Sequence, residues 1–107
     1  MTLRDVVDQL DALPNSDTIY AEDLASVEER GGSVADARAV VTTEGEDGLP
    51  PPSAEGLRYF LEVRIAKEAI RVWCQWRDGA VPSLDEKLAA VVYYAVNDAF
   101  LPLTAEP

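Results

Sequence analysis

The chain has 107 residues, 48% of them apolar, and its twenty acids against nine bases leave a net charge of −11. That length fits one domain, and the apolar share supplies one core, which excludes wholesale disorder. The acidic balance excludes the usual route to nucleic acid, in which Lys and Arg displace counterions from phosphates, and it disfavours anionic membrane surfaces.

The excess charge is not evenly spread. Residues 1–56 hold thirteen acids and three bases, whereas residues 57–107 hold seven acids and six bases. Solubility alone does not demand that asymmetry. An electrostatic docking surface produces it, and so does a loop-rich half with little to bury.

In chain order, the first element is a helix capped by Thr2, with Asp5 three residues on in a variant of the capping box. Leu3, Val6, Val7, Leu10 and Leu13 make its apolar stripe, and Asp5, Asp8 and Asp11 fall away from it. Pro14 and Asn15 are expected to end it. Thr18 to Ala21 is a short β-prone run. Residues 22–36 are polar and acidic, include Glu22, Asp23 and the Gly31-Gly32 pair, and read as a loop with room for one helical turn over Leu24–Glu29. Ala39 to Thr43 reads as a second strand. Residues 44–56, EGEDGLPPPSAEG, exclude a regular element by their proline and glycine content.

Leu57, Tyr59, Leu61, Val63 and Ile65 alternate as in a half-buried strand. Ile65, Ala69, Val72, Trp73 and Trp76 then follow helical spacing. We read a strand over 57–63 running into a helix over 65–77, with one long helix from Ser53 as the rival reading. Asp78-Gly79 ends that helix. Ser83 and Glu86 form a capping box for a last helix with Leu84, Leu88, Val91, Val92, Ala95 and Ala99 on its buried side, terminated by Pro102. The tail from 102 to 107 reads as loose. The order α-β-β-β-α-α implies an α+β fold: about three mainly antiparallel strands with helices packed on one face.

Much chemistry is missing. There is no histidine, hence no Ser-His-Asp or Cys-His arrangement. Gly31-Gly32 lacks the lysine and spacing of a phosphate-binding loop. The single cysteine, Cys74, forms no internal disulfide and reads as a half-buried structural residue. Glu44, Glu46 and Asp47 do not follow the spacing of a calcium loop. No cofactor or metal is expected. The opening MTLRDVVDQL lacks the apolar run of a signal peptide, and no stretch approaches the ~20 apolar residues of a membrane span, so a cytoplasmic location is expected.

Candidate contact residues remain. Asp8, Asp11, Glu22, Asp23, Glu44, Glu46 and Asp47 form the acidic set, and Trp73 and Trp76 are aromatic anchors for a partner or, alternatively, core residues. Arg64, Lys67 and Arg71 line one helical side, for pairing with the acids or as a solvated face. Asp98 opposes the dipole at the end of the last helix, so an ion pair with Arg58 or Arg64 is expected.

The strings Tyr59-Phe60-Leu61-Glu62-Val63, Ala66-Lys67-Glu68, Pro82 to Leu88 and Tyr94 to Ala99 together resemble a group of small acidic bacterial proteins among which immunity-protein-like domains occur. The resemblance covers most of the chain outside residues 44–56. It implies a bacterial origin and a binding role, with no activity to transfer to any residue. The leading expectation is a non-enzymatic acidic module of immunity or antitoxin type that masks a basic toxin or nucleic-acid-binding protein. Two other classes fit less of the sequence: a homo-oligomeric structural or accessory domain paired through the Trp73/Trp76 helix or the last helix, and a carboxylate or metal-dependent enzyme.

Overall fold

The computed structural model describes residues 1–42, 54 and 56–102. The Pro/Gly-rich stretch at 44–56, apart from Ala54 and Gly56, and the tail beyond Pro102 lie outside them. So do Glu44, Glu46 and Asp47.

Helix α1 spans Leu3–Asp8. Its capping box is complete: Thr2 Oγ1 accepts from the Asp5 amide at 3.2 Å, and Asp5 Oδ2 accepts from the Thr2 amide at 3.0 Å. The expected single helix to Leu13 is corrected. Regular α geometry stops at Asp8, and a tighter 3-10 turn covers Leu10–Ala12. Pro14 drives Leu13 into extended backbone (ψ 145°), so the final turn tightens instead of continuing.

Strands β1 (Thr18–Ala21), β2 (Ala39–Thr42) and β3 (Arg58–Glu62) form an antiparallel sheet in the order β2-β1-β3. A short helix, α2 (Leu24–Glu29), lies between β1 and β2, where one helical turn was expected. The chain start is stitched to the beginning of β2. The Leu3 amide donates to the Ala37 carbonyl at 2.9 Å, and the Ala39 amide donates to the Met1 carbonyl at 2.8 Å.

Every residue of β1 is buried because the sheet is covered on both faces. Ile19 and Ala21 face the helical layer, with Leu3, Val6, Val7, Val63 and Val91 in the same core. Tyr20 points the other way and packs with Ala54, Leu57 and Val40. The α+β class is as expected.

The strict alternation expected over 57–65 is corrected. Ile19 pairs with Leu61 and Tyr20 with Tyr59, so Phe60 is an extra residue in β3. Such a bulge bends the strand and puts two consecutive residues on one side. Phe60 and Leu61 both join the helical core, while Tyr59 stands at the surface. The chain then turns directly into helix α3, Val63–Trp76, two residues earlier than expected.

Helix α4 spans Leu84–Asn97 and starts on the expected capping box, with Ser83 Oγ accepting from the Glu86 amide at 3.2 Å. It ends five residues before Pro102. Asp98 takes the left-handed conformation (φ 53°, ψ 37°) and its amide closes on the Tyr94 carbonyl. The local cap, not the proline, stops this helix. Among the described residues no helix is long and apolar enough to cross a membrane.

Candidate functional site

Helix α3 closes with a Schellman-type cap. Asp78 and Gly79 are both left-handed (φ 56° and 80°), and the Gly79 amide donates back to the Cys74 carbonyl at 2.8 Å. This reversal throws the segment Ala80-Val81-Pro82 back towards α1. The result is a groove of about 300 Å³ between α1 with its 3-10 turn, α3 and this segment. Val7, Leu10, Ile70 and Cys74 line it together with Val81, Lys87, Asp8 and Asp11.

Asp8 and Asp11 stand three residues apart on the exposed side of the first helical segment. Among the described residues neither makes a hydrogen bond or an ion pair through its side chain. Val81 is 90% exposed. An apolar side chain thus sits beside a groove that also holds Asp8, Asp11 and Lys87, and among the described residues neither carboxylate lies within ion-pair distance of a cation.

Glu22 and Asp23 lie elsewhere, in a second groove of about 420 Å³ bounded by α2, β3 and the end of α4. Their carboxylates are engaged internally. Glu22 Oε1 accepts from the Arg38 amide at 2.6 Å, and Oε2 pairs with Arg30 Nη2 at 2.8 Å. The Arg38 N–H, and then Arg30, hold the Glu22 carboxyl below its ordinary range. Asp23 accepts from Ser26 Oγ at 3.1 Å. These two acids tie the end of β1 to the start of β2 and to α2.

The tryptophans divide. Trp73 is buried, with the Arg77 guanidinium 4.5 Å over its ring. Trp76 remains 45% exposed and meets Phe100 edge-on at 6.0 Å, and Phe100 in turn leans on Tyr94 at 5.1 Å. The two stand three residues apart on one side of α3, and only Trp73 is covered by the core.

Arg64 and Arg71 keep the solvated face expected of the basic stripe, each with a local carboxylate, and only Lys67 reaches another part of the chain. Arg64 pairs with Glu62 and Arg71 with Glu68. Lys67 Nζ donates to the Leu13 carbonyl at 2.8 Å and to Asn15 Oδ1 at 2.7 Å, clamping the end of the 3-10 turn onto α3. The expected partner for Asp98 is also corrected: Arg64 is held by Glu62, and Asp98 has no ion pair among the described residues.

The acidic set therefore does not form one surface. Asp8 and Asp11 share a groove, Glu22 and Asp23 are spent on internal bonds, and Trp76 stands apart. Sequence reasoning missed Val81, Ile70 and Lys87 as groove residues. The signal for Val81 was an apolar residue stranded between a helix stop and a helix cap. Among the described residues no group of three or more Cys, Asp or Glu side chains is placed to hold a metal ion.

A three-stranded antiparallel sheet under a helical layer, with an acid-rimmed groove at the turn of α3, defines a small α+β domain. The chain belongs to the domain-of-unknown-function family DUF7716, whose model matches residues 1–103. No curated protein and no solved structure matches it.

Proposed function

We propose that this protein is a non-catalytic binding module that engages a basic protein surface in the bacterial cytoplasm, as an immunity or antitoxin-type inhibitor does. The observation that carries this reading is the unneutralised state of Asp8 and Asp11. Six of the nine cations are engaged elsewhere, Arg4, Arg30, Arg64 and Arg71 with carboxylates and Lys67 and Arg77 with carbonyls, while Lys87 lines the groove without forming an ion pair among the described residues. The acidic excess therefore projects outward, where it steers a basic partner and accelerates association. The lack of histidine fits a mechanism of steric cover.

Affinity capture at low salt, with elution by high salt, recovers the partner as a basic protein on this reading. Neutralising Asp8, Asp11, Glu44, Glu46 and Asp47 together then slows its association and flattens the salt dependence of the rate. An association rate unchanged in both respects refutes the steering.

The half-exposed Trp76 favours a second reading, self-association through the α3 end. Recovery of the bait alone, with a salt-insensitive dimer in sedimentation, would select it.

A further inference from the structure

We propose that the groove between α1, α3 and Val81 receives a basic amphipathic segment of the partner, its apolar side chains seated in the groove and its cations on Asp8 and Asp11. This rests on the binding role proposed above and assigns it one place. The groove's apolar lining, Val7, Leu10, Ile70 and Val81, comes from three separate parts of the chain. At about 300 Å³ it stands at the small end of ligand pockets, suited to one or two side chains.

Charge complementarity fixes the rest of the occupant. Asp8 and Asp11 are one helical turn apart, both exposed and, among the described residues, both without an ion pair. An acidic segment is repelled there, and a purely apolar one leaves two desolvated carboxylates uncompensated. Lys87 also lines the groove, so a uniformly basic chain meets repulsion as well. A segment with both an apolar and a basic face satisfies all of these. Of the acids that line the second groove, Glu22 is paired with Arg30 and Asp23 accepts from Ser26, so only Glu28 is left for a basic segment, and Arg58 lines the groove with it.

The protein carries its own reporter. Cys74 is the chain's single cysteine, and it lines this groove. Occupancy should shield its thiol from a small neutral alkylating reagent, and thiol modification depends on access. The probe is a Leu/Lys amphipathic peptide of about four helical turns, with a Leu/Glu counterpart and oligolysine of equal length as controls.

The Leu/Lys peptide is expected to slow Cys74 alkylation about tenfold at saturation, and the controls little. Asp8→Asn with Asp11→Asn should abolish most of the protection. Glu28→Gln with Glu29→Gln, exposed acids outside this groove, should preserve it. Val81→Ser should weaken protection without altering the surface charge. Equal protection by oligolysine, protection that survives the Asp8/Asp11 double change, or no protection at all overturns the proposal.

The two readings fail separately. A natural basic partner that binds with salt dependence yet leaves Cys74 fully reactive overturns the groove and leaves the function standing. Peptide protection, with no basic partner recovered from cells, supports the groove and counts against the function.

Discussion

Replacing Lys67 with methionine removes one cation and keeps most of its apolar stem. In the native protein Nζ makes two short bonds, to the Leu13 carbonyl and to Asn15 Oδ1, at 2.8 and 2.7 Å. Hydrogen bonds to charged groups contribute roughly 1.5–3 kcal/mol each where they are shielded. Lys67 is half-buried, so water competes for both partners. The combined loss is then about 1.5–2.5 kcal/mol. At ~4 °C per kcal/mol for a domain of this size, Tm falls by about 6–10 °C. Urea titration followed by circular dichroism reads the same loss as a lower midpoint at unchanged m. Arg71→Met is the control: its exposed pair with Glu68, three residues away, contributes about 0.5 kcal/mol or less. If the two variants lose the same stability, the clamp does not hold the end of the 3-10 turn and the reasoning fails.

Glu22→Gln should lower Tm near neutral pH, and the gap to the parent should close in acid. The folded protein depresses this carboxyl, so its contribution is complete above the unfolded value of about 4.3 and drains away as pH falls through the folded one. A gap that is constant from neutral pH down into acid would contradict this. Asp98→Asn keeps a residue that tolerates the left-handed cap and removes a negative charge from the carbonyl end of α4. It should raise stability by about 0.3–1 kcal/mol in urea titration, and a loss would mean that a cation holds Asp98 in solution.

The local signals were legible in the sequence. Both capping boxes depend on residues three apart, and the structure forms them as read. The left-handed stop at Asp78-Gly79 is local too. What could not be read was relational. The alternation at 57–65 looked regular because the bulge at Phe60 is set by pairing with β1, which lies some 40 residues earlier. Helical spacing put Lys67 in a basic stripe, and only the packing of α3 against the 3-10 turn reveals its carbonyl partners. Glu22 and Asp8 look alike as acids in a string. One meets Arg30 and the Arg38 amide, and the other pairs with no described residue, because one lies at the end of a strand and the other on an open helical face. The class α+β followed from element order. The groove did not, because it needs Asp8, Ile70 and Val81 in one place.

Strand β1 is the middle of the sheet but the first strand to be made. Its last neighbour, β3, is complete only about 40 residues later, which at ~5–20 residues per second is roughly 2–8 s of synthesis. Through that interval Thr18-Ile19-Tyr20-Ala21 is an uncharged, β-prone run with an unpaired edge, the kind of segment that joins other chains. Asp17 stands immediately before it, and Glu22 and Asp23 immediately after. Acids in those positions keep nascent strands apart. The Glu22 carboxylate, which in the folded protein ties the end of β1 to the start of β2, therefore acts first, with Asp17 and Asp23, as a guard on an unfinished sheet, while β2, β3, α3 and α4 are still to be translated.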